Sequence, residues 1–472
     1  MFKLIVEKEL REILGSVKFA VTFGISSLLL LLTFYIGARN YQVSTGQYEA
    51  ARRENMRKLD GLTEWEEVRN FRVYLPPQPV SSLVMGVSND IGRTSEIRGA
   101  GEISARDSKY GEDPVYAVFR FLDLDFIFQI VLSLFAILFA YDAVNGEKER
   151  GTLRLTLANA VPRSAYIAGK IAGSFLALAV PLLIPILLGA LLLIAMGVPM
   201  AAADWNRFAL IVGAGYVYFG VFLSLSLFVS SATEKSSTSF LLLLVVWIFS
   251  VMIIPRTAVL LAGRAVDVPT VDELVSQKSR YSASLWQEHR KKMADFRAPE
   301  DTPMDKVMDQ FQKFMGDLDA ERTEKMNAFS QRLNETRTNA QAVQERLAFG
   351  LARISPSAVF SLLGTSIAAT GVHLKDDYKL QAEQYQKQYA EFMKGKTGRN
   401  PSGSIVFRTM TTDGDQQEKK KINPGELPAF TFAQPPVRSA LGSIIMDFGI
   451  LALFNMVFFA GAFVAFLRFD AR

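Results

Sequence analysis

The chain has 472 residues, of which 50% are hydrophobic and 21% charged; its formal net charge is +5, and it contains no cysteine and two histidines. The lack of cysteine excludes disulfides, thiolate chemistry and cysteine-ligated metal, and basic residues interleaved with acidic ones give no nucleic-acid patch. Charge and hydrophobicity are instead segregated. Apolar runs at 19–37, 125–142, 171–196, 207–230, 238–256 and 443–467 carry almost no charge and match the ~30 Å hydrocarbon core of a bilayer at about 1.5 Å per residue. They predict an all-α membrane protein with six transmembrane helices, an N-terminal interfacial helix and a mainly helical extracytoplasmic domain.

Residues 1–18 mix Phe2, Leu4, Ile5, Leu10 and Ile13 with Lys3, Glu7, Lys8, Glu9 and Arg11, a spacing that predicts a cytoplasmic amphipathic helix with one face in the membrane interface. The first span reads as an anchor, since its run is long and no small-x-small cleavage site follows Ile36. Segment 38–124 is expected outside the membrane. It begins helical and charged over 49–70, then turns Pro-rich and Gly/Ser-rich, which predicts turns and extended chain. Asp123 and Asp125 at the mouth of the second span read as capping or boundary carboxylates rather than a catalytic pair.

The third span is long and contains Pro181 and Pro185, which favour a kink. In the fourth, Gly213, Gly215, Gly220, Ser224 and Ser226 offer small surfaces for helix packing. Residues 257–440 form the largest expected outer domain. Within it, 271–348 carries an apolar stripe through Leu274, Trp286, Met293, Phe311, Leu318 and Phe329, predicting two long packed helices interrupted at 298–303. Residues 357–370 are apolar but too short for a span, and are placed in the outer domain or against the membrane surface. A helix is expected over 376–394, and 404–410 is the best strand candidate. Gly395-Lys396-Thr397 is no phosphate loop, because Ala390 stands where the first glycine belongs. His289 and His373 read as solvated surface residues.

Basic residues of the short segments set the orientation. Lys3, Lys8, Arg11 and Lys18, then Lys148, Arg150, Arg154, Arg163 and Lys170, then Lys235, Arg468 and Arg472 all fall on one side if both termini are cytoplasmic, and loop 197–205 has none.

The connector at 143–170 is the most informative segment. It reads Asn145, Gly146, Glu147, Lys148, Glu149, Arg150, Gly151, Thr152 and Leu153, with Asp142 before it and Pro162, Arg163 and Lys170 after it. Glu147 and Glu149 suit a helix start and are able to pair with basic residues of a partner. Gly151 permits close backbone approach, Leu153, Leu155 and Leu157 supply apolar surface, and Arg163 and Lys170 are expected to anchor the return at lipid headgroups.

At these residues the chain resembles the type-2 ABC exporter permeases, in the branch with a large external domain between the fifth and sixth spans. Pro76, Pro77, Gln78, Pro79 and Gly86, with Ser355 and Pro356, fit that branch more loosely. The resemblance implies that 145–157 forms a coupling helix seated in a separate ABC ATPase subunit. That subunit works as a dimer, so a second permease copy is implied, most simply an identical one. ATP and Mg would sit on the ATPase; this chain would bind no cofactor and would not itself be an enzyme. The implied setting is the inner membrane, among membrane lipids. No ionisable residue marks the centre of a span, which favours amphiphilic cargo over a small ion. The alternative expectation is a mechanotransmitting membrane subunit, whose outer domain acts on an extracytoplasmic protein without moving cargo.

Overall fold

The computed structural model describes residues 1–68, 71–88, 91–97, 103, 105–106, 123–159, 161–297, 304–397 and 421–468. The strand candidate at 404–410 and the interruption at 298–303 lie outside the described residues. Among the described residues, seven helical stretches are long and apolar enough to cross a membrane, one more than the six expected; the additional one is Pro356–Thr397, which is interrupted at Ala369.

Helix α1 (Phe2–Leu14) leads through Gly15 and Ser16 into α2 (Val17–Arg57); the Ser16 hydroxyl caps α2 by accepting from Phe19 N at 3.1 Å. With 41 residues α2 is about 60 Å long, twice a hydrocarbon core, so it does not stop where the first apolar run ends. Asn55 near its far end donates to Arg72 O at 2.8 Å and accepts from Arg72 N at 3.2 Å. This fastens α2 to strand β1 (Phe71–Tyr74), which pairs antiparallel with β2 (Thr94–Ile97), itself paired with β3 (Ala105–Arg106). The small sheet departs from the all-α expectation. Its inward alternation of Phe71 and Val73 is only four residues long, too brief a period-2 signal to stand out among turn residues.

Asp123 caps α3 (residues 124–140), accepting from Phe126 N at 3.0 Å and Met85 N at 2.9 Å, the capping role expected of it. Helix α3 widens into π-helical turns at Ile127–Leu132. The connector follows as α4 (Asn145–Glu149) and α5 (Thr152–Ala158). Then come α6 (Arg163–Ala195), continuous through Pro181 and Pro185, α7 (Ala202–Ala232) and α8 (Ser236–Ala265), with a second π-helical segment at Ile248–Ile253. Gly215 of α7 lies directly against the Phe128 ring, as its small-residue face predicts.

Helices α9 (Val271–Ala294) and α10 (Met304–Ala352) form the expected hairpin. Tyr281 stacks on Phe329 at 4.1 Å, and Phe296 meets Phe311 and Phe314. Lys292 and Lys325 bridge Glu288 and Glu321 across the pair. His289 is buried on the facing side, contrary to the surface reading, because its helical phase turns it toward α10 beside Trp286. His373 is exposed, as expected. The base of α10 packs Ala348 and Ala352 on Ala258, Val259 and Ala262 of α8.

Helix α11 (Pro356–Ala368) corrects the expectation for 357–370. It does not lie on a surface but is almost wholly buried, in one core with α3, α7, α13 (Leu441–Leu467) and residues 80–84. Its 13 residues reach about 20 Å, short of a full crossing. Its hydroxyls are satisfied by other spans: Ser357 donates to Gln129 Oε1 at 3.0 Å, Ser361 to Asp125 Oδ2 at 2.7 Å, and Ser355 to Ser250 O. A helix that carries several hydroxyls enters an apolar bundle with such partners. Ala369 (φ 54°) then turns the chain toward α12 (His373–Thr397), whose Tyr385, Tyr389 and Met393 pack on the sheet. Asp447 of α13 is buried and held by Arg353 at 2.7 Å.

Candidate functional site

The connector turns back in two steps. Residues 145–157 were expected to make one helix; instead α4 and α5 are separated by Arg150 and by Gly151, which stands at φ 74°. A Cβ at Gly151 would meet nothing within 4 Å of this chain, and the left-handed backbone there is one that glycine adopts without strain.

The first half of the connector is locked inward. Asn145 is fully buried: its Oδ1 accepts from Ser230 Oγ at 3.1 Å and Ser236 Oγ at 3.2 Å, and its Nδ2 donates to Thr233 Oγ1 at 3.0 Å. Gly146 is buried beside it, and Lys148 donates to Ser231 O at 2.6 Å and Thr233 O at 3.2 Å, closing the end of α7. Leu153 is buried with Ile5, Val144, Tyr166, Leu227 and Phe466. The connector is thus bonded to the turn between α7 and α8 by one face.

Glu147 is the hub of the other contact. It is 3% exposed; its Oε1 accepts from Lys8 Nζ at 2.6 Å and lies 3.1 Å from Lys170 Nζ, and its Oε2 accepts from the Tyr166 hydroxyl at 2.7 Å. Lys170, equally buried, also bonds Glu9 Oε1 at 2.6 Å. Burial raises the Glu9 carboxyl above its ordinary range, while Lys170 pulls it back. Helix α1 reaches this network because α6 presents glycines beneath it: a Cβ at Gly169 would come within 2.8 Å of Ile5, and one at Gly173 within 2.7 Å of Glu9.

Two expectations are therefore corrected, those for Glu147 and Lys170. Glu147 faces inward and is not free for a partner, since two lysines and a tyrosine converge on it. Lys170 is part of this buried cluster and is not at a headgroup. Arg163 donates to Leu467 O at 2.7 Å, holding the end of α13. Sequence reasoning missed Lys8, Glu9 and Tyr166; the only signal was that charges in α1 were more numerous than an interfacial helix needs.

What remains outward is a compact tip. Glu149 accepts from Ser236 N and Oγ at its edge, and Arg150, Gly151, Thr152, Arg154 and Leu155 are exposed. Leu155 is 69% exposed, an apolar side chain next to Arg154. Arg150 bonds Gly146 O at 3.0 Å and stands 3.8 Å from Glu12.

A bundle of apolar helices joined by a short charged connector, bonded to the bundle by one face and exposed on the other, is the architecture of a multi-pass membrane protein. The chain belongs to the ABC-2 family of transporter proteins, whose family model matches residues 4–471, and is a membrane permease subunit of an ABC transporter. It is similar to the "Probable ABC transporter permease protein NosY" of Pseudomonas aeruginosa, 36% identical over 111 residues, which are 23% of this chain. The match spans only 40% of that relative's length.

Proposed function

We propose that this chain is the permease subunit of an ABC exporter of the inner membrane, paired with a second copy and driven by a separate cytoplasmic ATPase dimer that carries the ATP and Mg. The observation that supports this is the two-faced connector: Glu149, Arg150, Thr152, Arg154 and Leu155 point outward, while Asn145, Glu147 and Leu153 tie the same segment to α1, α6 and α7. A push on the tip would then pass into three helices at once. In this reading both termini are cytoplasmic, six helices cross, and α11 enters the bundle from the outer side without crossing it. The unpaired apolar face of α1, with Phe2, Leu4 and Leu14 exposed, would rest in the cytoplasmic interface.

The test is co-purification from native membranes in mild detergent, comparing wild type with Arg154→Glu/Leu155→Asp. Both positions are exposed, so the fold should survive. Recovery of an ATPase by wild type and its loss in the variant supports the reading. An ATPase recovered equally by both, or by neither, overturns it.

A further inference from the structure

At the end of the bundle opposite the connector, α3, α8, α11 and α13 enclose a cavity of about 480 Å³, within the range of small-molecule sites. Its walls are of two kinds. Phe126, Ile130, Met252 and Leu362 are apolar, and both π-helical segments contribute, through Ile130 and Met252. Such segments often mark functional sites.

The polar wall is unbalanced. Asp125, 8% exposed, accepts through Oδ2 from Gln129 at 2.5 Å and Ser361 at 2.7 Å, while its Oδ1 is buried without a hydrogen-bond donor. Buried acceptors are seldom left so. Arg207 donates to the carbonyls of Ile367 and Pro435 and has Asp204 one turn away as its nearest opposite charge, and Arg256 stands exposed; neither forms an ion pair among the described residues. Arg353 in the same cavity is fully paired with Asp447 and is not available.

We propose that this cavity binds a zwitterionic amphiphile, with a primary ammonium donating to Asp125 and an anionic group lying against Arg207 and Arg256. A carboxylate oxygen lacking a donor calls for N–H, and two guanidiniums without an ion pair call for phosphate or carboxylate. The alkyl chain leaves along Met252 and Ile253, which are exposed on α8 next to Arg256. A soluble zwitterion would use the charges but not this track. The assignment concerns binding by this chain alone, so it stands or fails separately from coupling to an ATPase.

The purified full chain, released from detergent in native mass spectrometry, would be titrated with lysophosphatidylethanolamine. Lysophosphatidylcholine, which has no N–H, and free phosphoethanolamine, which has no chain, are the comparators. Wild type should prefer the ethanolamine lipid over the choline lipid by about 10-fold, the scale of one charge-assisted hydrogen bond. Asp125→Asn should remove that preference, and Arg256→Ala, an exposed site that leaves the fold intact, should weaken both lipids by about 5-fold. Equal binding of the two lipids by wild type, an Arg256→Ala variant that binds both as wild type does, or free phosphoethanolamine bound as tightly as the lipid would each overturn the proposal.

Discussion

Lys170 shows what a single buried charge does at the connector. It lies between Glu9 and Glu147 with almost no exposure, so Lys170→Met would leave Glu9 buried without its cation. Removing one partner of a buried pair costs roughly 3–5 kcal/mol. Unfolding in detergent should show a loss of that order, and Glu9→Leu added to Lys170→Met should recover much of it, since Glu147 keeps Lys8 and Tyr166. An additive double variant would show that the pair does not act as a unit. The sequence located these residues only in part. Glu147 was legible as a connector residue, but its partner Lys8 is 139 residues away, beyond any local pattern. A charge read in isolation looks solvated; only the approach of α1 to Gly169 and Gly173 turns it inward.

Among the elements, α1 depends on that approach. Gly173→Val would place a side chain where Glu9 and the Val6 backbone already lie. Overpacking of this kind costs about 1–3 kcal/mol, and it should appear as faster hydrogen exchange over residues 2–14, with α7 and α13 unchanged. Exchange rising uniformly across the bundle would mean that α1 is no separate unit. In the α9–α10 hairpin, hydrogen bonds from Lys292 and Lys325 hold Glu321 down at about 2, and Lys325 with Lys292 lowers Glu288 as well. Depressed carboxylates stabilise the folded state above their ordinary value of 4.5 and lose that contribution as pH falls toward about 2. Proteolysis of the hairpin by an acid-active protease should therefore accelerate across that window, and Glu288→Gln/Glu321→Gln should flatten the response. Long helices with a clear 3.6-residue stripe were readable in the chain. Helix α11 was not, because its serines look like surface residues until Asp125, Gln129 and Ser250 supply their partners.

For the molecule as a whole, the absence of cysteine makes topology directly measurable. Single cysteines at Leu155, on the connector tip, and at Lys313, exposed on the outer hairpin, should react with a membrane-impermeant maleimide from opposite faces of sealed vesicles. Labelling from one face would overturn the orientation. Hydropathy made the helical bundle legible because lipid demands it along every span. The outer layer was less so, since its sheet and its covering helix α12 specify each other across some three hundred residues, as in the bond from Tyr378 to Val73 O. A further consequence follows from α2. Its root is tied through Ser16 and α1 to the connector cluster, its tip through Asn55 to the sheet, and no break interrupts the 41 residues between. Such a rod of about 60 Å acts as a lever: a tilt of about 10° at one end sweeps the other through about 10 Å. The outer layer would then report the state of the inner end without any hinge between them.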